Sequence, residues 1–328
     1  MNKMNKKLIA VITAIMLLAT CLTGCGGGGD KAADPARISF ASGGTSGTYY
    51  PIAGAISTLW TDKVEGLTVD VQSTGASAEN LNLINKGEAE VALVQNDVMY
   101  YAYTATESFA GVDKNESFLT LGTVYPEVVQ LVVAGDAGIE TLADLKGKAV
   151  SIGDVGSGVE SNAKQILAAA GIGLDEITVR NLGFGESANG IKDKTLDAAF
   201  VTAGTPTTAV TELAATNDIK VLSLDQAVID QLCADYGYYT EFVIPADVYG
   251  TDADAKTVAV KATIVVKADL SEGLVYNMTK ALFENLDVVA ESHAKGKELS
   301  LKGAVDGVSV PLHPGAAKYY AEQGLDVE

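Results

Sequence analysis

Four short loops carry most of the residues in this chain whose types and spacing suit ligand chemistry. The first is Ser42-Gly43-Gly44-Thr45-Ser46-Gly47-Thr48-Tyr49-Tyr50-Pro51. Its glycines let the backbone come close to a bound molecule, and its hydroxyls add hydrogen-bonding groups. It leads into a predicted helix, whose free N–H groups and dipole favour an anion by about 0.3–1 kcal/mol when exposed and more when buried. Thr74-Gly75-Ala76-Ser77 repeats the pattern, with Ser77 suited to an N-cap. Gly153-Asp154-Val155-Gly156-Ser157-Gly158 and Ala203-Gly204-Thr205-Pro206 repeat it again. The candidate ligand-binding residues are 44–49 of the first loop, all of the second, Gly156 to Gly158 of the third and Ala203 to Thr205 of the fourth. Each loop alone is also what a plain capped turn looks like. Together they describe a crevice that holds a small anionic or zwitterionic molecule by backbone amides and neutral side chains.

Further candidates sit beside these loops. Gln95 and Asn96 follow an apolar strand, where an amide can both donate to and accept from a ligand. Asp97 suits a ligand ammonium or, equally, a helix cap. The Tyr49-Tyr50 pair offers an aromatic wall, and Gly185-Glu186-Ser187 is a weaker candidate. Only two arginines exist, Arg37 and Arg180, so an anionic ligand must be held largely without guanidinium forks. The chain has no Gly-x-Ser-x-Gly elbow, and the third loop lacks the Gly-Lys-Ser/Thr of a phosphate-binding loop. Its histidines, His293 and His313, have no partner at metal-ligand spacing and read as structural or exposed. No catalytic residue, metal or cofactor is expected.

The elements that must position these loops alternate. Ile38–Ala41 reads as a strand, Pro51–Trp60 as a helix with Ile52, Ile56 and Leu59 on one face, and Leu67–Ser73 as the next strand. A helix over 78–86 and a buried strand over 91–94 follow, which makes parallel α/β units. After Tyr125-Pro126 a second block opens with the apolar run Val128–Ala134. A short helix over 142–147, a strand over 149–152, a helix over 159–170 and strands near 177–181, 200–202 and 219–222 follow. A long strand over 258–266 and a helix over 271–284 bring the chain back. The fold class expected is therefore α/β in two lobes: residues 37–127 with 258–328, and residues 128–257. Two crossing strands form a hinge, and the ligand sits in a central cleft facing strand C-termini.

The first residues read as a targeting segment. Lys3, Lys6 and Lys7 precede an apolar run from Leu8 to Cys21, too short for a comfortable spanning helix of roughly 20 residues. Leu22-Thr23-Gly24-Cys25 is similar to a bacterial lipobox. Residues 1–24 then form a lipoprotein signal peptide, Cys25 carries the lipid, and residues 25–36, with Gly26 to Gly29, form a flexible tether. In the body only Cys233 remains, expected to pack as a small apolar residue near a helix end. The net charge of −19 becomes −22 once the three leader lysines are gone. Such a body is repelled by nucleic acid and by anionic membrane surfaces. An extracytoplasmic, lipid-anchored monomer is expected.

The run 43–51 and then 73–80 (STGASAEN) resembles the TAXI family, the TRAP-associated extracytoplasmic solute receptors. Tyr125-Pro126-Glu127, residues 142–148 (LADLKGK), residues 153–158, Leu282-Phe283-Glu284-Asn285 and the ending 310–316 with Tyr319-Tyr320 also match, in order along the mature chain. The resemblance implies a periplasmic-binding-protein fold of the second type and delivery of a solute to a TRAP-type membrane permease driven by an ion gradient. It implies a solute such as glutamate, glutamine or a dicarboxylate like 2-oxoglutarate. The family pattern usually has a histidine where this chain has Gln130, which leaves the solute more open if that position lines the cleft. A receptor reporting to a signalling partner would share these features. An enzyme on the same fold would need a cleft histidine, cysteine or paired carboxylates, and none is evident in the sequence.

Overall fold

The computed structural model describes residues 36–327. The leader, Cys25 and nearly all of the tether lie outside the described residues. In chain order the first half contains β1 (Arg37–Ala41), α1 (Tyr49–Lys63), β2 (Thr68–Gln72), α2 (Ser77–Lys86), β3 (Val91–Gln95) and α3 (Asn96–Thr104). The long β4 (Phe118–Ala134) leads to β5 (Ala149–Ser151), α4 (Gly158–Ala169), β6 (Thr178–Arg180), α5 (Phe184–Lys192), β7 (Ala198–Ala203), α6 (Thr208–Ala214), β8 (Ile219–Leu222), α7 (Gln226–Asp235) and β9 (Thr240–Ile244). A second long strand, β10 (Ala255–Lys267), returns to α8 (Glu272–Phe283), α9 (Leu286–Ser292) and α10 (Pro314–Glu322).

One sheet of ten strands runs β2-β1-β3-β10-β4-β7-β5-β6, with β8 paired to β4 and β9 to β10. The outer groups are parallel, β1 with β2 and β3, and β5 with β6 and β7. The two long strands are antiparallel to each other and to the groups they join. Each crossing strand serves both halves: β10 pairs with β3 through Val266 to Ala262 and with β9 through Ala259 to Ala255. This gives two lobes connected by two strands.

Each lobe has its own core. In the first, Ile38, Phe40, Ile52, Ile56, Trp60 and Met278 pack together, and the Trp60 indole donates to the Met278 carbonyl at 2.8 Å. In the second, Val129, Val150, Ile166, Leu167, Phe200 and Val260 form a separate cluster. Each such aliphatic or aromatic side chain, fully buried, contributes about 1.5–3 kcal/mol. Two cores and two covalent crossings are what a hinge requires.

Several sequence expectations shift. The first crossing begins at Phe118, ten residues before the apolar run 128–134, because Pro126 lies inside the strand instead of ending it. Pro126 pairs with Lys261, next to a register irregularity between Lys261 and Thr263, the kind of position where a ladder tolerates proline. Gln95-Asn96-Asp97 is no loop; β3 passes directly into α3, whose Val98, Met99, Tyr101 and Ala102 are buried. The expected helix over 142–147 is a single 3-10 turn, Leu142–Leu145. Ser77 is not an N-cap but the first residue of α2, and its hydroxyl accepts from the Gln95 amide at 3.1 Å. Ala76 is the N-cap instead, at φ +74°. Cys233 lies half-buried near the end of α7, against the second core.

Candidate functional site

Between the lobes lies a cavity of about 310 Å³, at the small end of the range for ligand sites. Its walls come from strand ends and helix starts. The loop after β1 contributes Gly43 to Thr48, and Tyr49 opens α1. The loop after β2 contributes Ser73 to Ala76. Across the cleft, Asp154, Ser157 and the first residues of α4 face Gly183 to Glu186, where α5 begins. Glu127 from β4 and Thr202 and Ala203 from β7 form the floor.

Three helices therefore start in the wall, α1 and α4 and α5, each with first-turn N–H groups that no carbonyl of its own helix can satisfy. The amides of Thr45, Ser46, Thr48 and Tyr49 have no acceptor among the described residues. Thr48, at the N-cap of α1, makes no cap; its hydroxyl donates to the Gly204 carbonyl at 3.2 Å, across the cleft. At α4 the Ser157 hydroxyl accepts from the Glu160 amide at 3.1 Å and leaves the first two amides free.

Among the described residues, carboxyl groups are the only charged groups in the wall. Glu127 is 2% exposed, and Tyr49 Oη donates to its Oε2 at 2.7 Å. Burial pushes Glu127 up to about 8, against the opposing effect of the Tyr49 hydrogen bond. Asp154 is raised by burial and by Glu186 and Glu79 nearby. Among the described residues no lysine, arginine or histidine lines the cavity. Arg37 pairs with Asp70 on the surface, and Arg180 donates to the Val179 carbonyl. Thr202 Oγ1 is buried with no hydrogen-bond partner among the described residues.

The cleft is shut in this conformation. The Ala78 amide donates to the Gly156 carbonyl at 3.2 Å, and the Ala209 amide to the Ser46 carbonyl at 3.2 Å. A Cβ at Gly47 would sit 3.3 Å from the Phe184 ring, and one at Gly158 would lie 1.8 Å from Gln95 Oε1. Glycine at 158 is what allows the lobes this close. Behind the cavity, Gln95 Nε2 donates to Asn162 Oδ1 at 2.7 Å, and Asn162 Nδ2 donates to Asp97 Oδ2 at 2.8 Å and to Tyr239 Oη at 2.7 Å. Tyr239 donates to Gln165 Oε1 at 2.6 Å, and Gln165 to Tyr101 Oη at 2.8 Å, where Tyr238 completes the chain. This knot joins α3 to α4 and to the segment before β9.

Of the residues named from the sequence, Gly44 to Tyr49, Thr74 to Ala76, Gln95, Ser157, Gly158 and Ala203 line the cavity. Ser77, Asn96, Gly156, Gly204 and Thr205 are not in its wall. Asn96 turns to the crossing strand, where its Oδ1 accepts from the Lys261 amide at 2.9 Å. Gly156 and Gly204 use their carbonyls for the cross-cleft bonds above. Tyr50 points out from α1 into a surface groove, so only one ring of the tyrosine pair reaches the cavity. Asp97 neither caps nor faces the cavity. It is enclosed in α3, pushed up to about 6 by burial despite the Asn162 hydrogen bond. Gln130 lies behind the wall, where it donates to Thr207 Oγ1 at 2.9 Å and accepts from Tyr249. His313 accepts from the Gly315 amide at the start of α10, and His293 accepts from the Lys295 amide; neither lines the cavity. No cluster of three or more His, Cys, Asp or Glu suits a metal among the described residues.

Glu127, Thr202 and Phe184 were not singled out as ligand groups by the sequence. Glu127 had a usable signal, a lone acid inside the apolar stretch Val124 to Ala134. Thr202 had none, because an apolar strand end with one threonine is commonplace.

A model of one family, described as NMT1-like, matches residues 40–324. The chain belongs to the NMT1-like family. Among solved structures, this NMT1-like protein is similar to the periplasmic aliphatic sulphonate binding protein SsuA from Escherichia coli. The two share 14% identity with a TM-score of 0.51, over 88% of this chain and 83% of that one. It is similar to a binding protein component of an ABC phosphonate transporter from Pseudomonas aeruginosa at 13% identity and TM-score 0.51, over 80% and 79%. A putative L-cystine ABC transporter from Listeria monocytogenes aligns at 16% identity and TM-score 0.50, over 80% and 98%. At these identities the likeness speaks to the fold. The NMT1-like chain has the two-lobed periplasmic-binding-protein type II fold, with a two-strand hinge and a central cleft.

Proposed function

We propose that this NMT1-like protein is an extracytoplasmic solute-binding protein of a TRAP-type transporter of the TAXI class. It captures a small carboxylate, such as glutamate, glutamine or a dicarboxylate, by closing its lobes on it, and delivers it to the membrane permease. Cys25 carries the lipid anchor after removal of residues 1–24, and residues 25–36 tether the body. The lobes are residues 37–127 with 258–328, and 128–257, and the protein acts as a monomer without cofactor or catalytic step.

The observation that carries this reading is the set of unsatisfied hydrogen-bonding groups in the closed cavity. The amides at the start of α1 and α4 and the Thr202 hydroxyl face a space shaped by both lobes. Buried polar groups without partners are costly, so a carboxylate that supplies acceptors there stabilises the closed form specifically. The structural neighbours named for sulphonate binding and phosphonate transport favour a receptor role for the fold. No helix among the described residues is long and apolar enough to cross a membrane.

A thermal-shift screen of the refolded body against glutamate, glutamine, 2-oxoglutarate, succinate, other amino acids and a few sugars tests it. A solute at a hundred times its Kd adds about 2.7 kcal/mol, a shift of several degrees. A well-folded protein that none of the carboxylates stabilises would count against the reading.

A further inference from the structure

The cavity wall is unbalanced in a way that a simple carboxylate does not explain. Its amides offer donors for one anionic group, yet among the described residues its only charged side chains are Glu127, Asp154 and Glu186. A solute with two anionic ends would set one of them against these carboxyl groups with no cation to relieve it. A solute with one anionic and one cationic end meets complementary groups at both.

Glu127 is the group built for the cationic end. Its Oε2 accepts from Tyr49, a ring fixed in the first turn of α1, which fixes the plane of the carboxyl group. Its Oε1 accepts from nothing among the described residues, and Glu127 lines the same cavity as the unpartnered Thr202. We infer that Glu127, positioned by the Tyr49 hydroxyl, takes the ammonium group of an amino-acid-type zwitterion as a carboxylate, releasing its own proton to solvent as the solute binds. This rests on the solute-receptor reading and narrows its solute to the amine-bearing members.

The groups facing Glu127 agree with a proton being held there before binding. Tyr49 from α1 and Tyr125 on the same strand are themselves raised by burial and by Glu127. Asp97 from α3 adds negative field. Asp154 on the loop before α4, Glu186 in the first turn of α5 and Glu79 in the first turn of α2 add further negative charge around the cavity. Lys295, beside Gly204, donates to Glu298 at 2.6 Å, and Glu298 acts on Tyr125 with the same negative sign. Only the Tyr49 hydrogen bond favours ionised Glu127 before a cation arrives, and burial outweighs it.

The test pairs amines with their 2-oxo counterparts. Calorimetric titrations of L-glutamate against 2-oxoglutarate, and of the other amino acids against their 2-oxo acids, are run at pH 6, 7 and 8. With Glu127 titrating at about 8, amine affinity should rise roughly 50-fold from pH 6 to pH 8, with about one proton released at pH 7. Glu127→Gln should flatten that profile and weaken amine binding, while Tyr49→Phe weakens binding but keeps the slope. Oxo acids or succinate binding as tightly as the amines, or affinity that falls with pH, would overturn the inference and leave the receptor reading intact. Absence of binding by every carboxylate would overturn both.

A ligand-free measurement stands beside it. The folded value of Glu127 is raised above its ordinary 4.5, so its contribution to stability is full below pH 4.5 and is lost as pH rises to about 8. Glu127→Gln should therefore melt several degrees higher than the parent at pH 8 and at nearly the same temperature at pH 4.5. Equal melting at both pH values would overturn the claim that the empty site holds a proton.

Discussion

The front and the back of the cleft are both polar and both buried, and they differ in whether their groups are satisfied. At the front, Thr202 Oγ1 and the amides of Thr45, Ser46, Thr48 and Tyr49 have no partner among the described residues. At the back, Asn162 uses its oxygen on Gln95 and its nitrogen on Asp97 and Tyr239, and Gln165 links two tyrosines. A closed knot of this kind specifies one arrangement of the lobes, because a half-satisfied network in a low-dielectric interior is costly. An open set of donors does the reverse and waits for a partner. Closure and recognition are thus separate tasks of one interface.

Substitutions can break that separation. The largest effect is expected from Gly158→Ala, whose Cβ would lie 1.8 Å from Gln95 Oε1. It blocks closure and displaces Gln95 from the knot without touching either core, so solute affinity should drop about a hundredfold, roughly 2.8 kcal/mol, and the ligand-free melting temperature should fall as well. Small-angle scattering should then show an extended particle even with solute present; a compact one would break the link between Gly158 and closure.

Asn162→Ala comes next. It leaves Asp97 buried with one fewer donor, and a buried group stripped of its partner costs about 1–3 kcal/mol. Both stability and affinity should fall, although Asn162 is not part of the cavity wall. Chemical denaturation of the ligand-free protein separates the two: loss of affinity alone would mean the knot forms only in the bound state. The smallest effect is expected from Thr202→Val. Removing an unpaired buried hydroxyl should leave the ligand-free protein as stable as before or slightly more so, and weaken the solute by about 0.5–1.5 kcal/mol. A destabilised apo protein with unchanged affinity would place Thr202 with the back of the cleft.

Much of this architecture is legible in the residues. Ile52, Ile56 and Leu59 give α1 its buried face, and the glycine-rich stretch before it could only be a loop. The strand-loop-helix order at β1, β2, β5 and β7 follows from local pattern alone. The start of α3 was hidden because Gln95-Asn96-Asp97 are three polar residues, the usual mark of a loop. Their helix is stabilised by contacts of Val98, Met99 and Tyr101 that lie elsewhere in the fold. Pro126 misdirects for a similar reason, since the irregular register with β10 that accommodates it belongs to a strand over a hundred residues away.

The site divides along the same line. Sequence by itself determines which loops can approach a ligand, because backbone freedom at glycine and the orphan amides of a helix start are local properties of Gly43 to Tyr49 and Ser157 to Val159. It also determines that no arginine clamp is available. Only the tertiary structure decides that Asn96 faces the hinge strand and Gln95 the cavity, that Asp97 is enclosed, and that Glu127 is the acid at the floor. Those outcomes depend on which lobe covers which side chain. Burial, hydrogen-bond satisfaction and proton affinity are set by neighbours brought from distant parts of the chain.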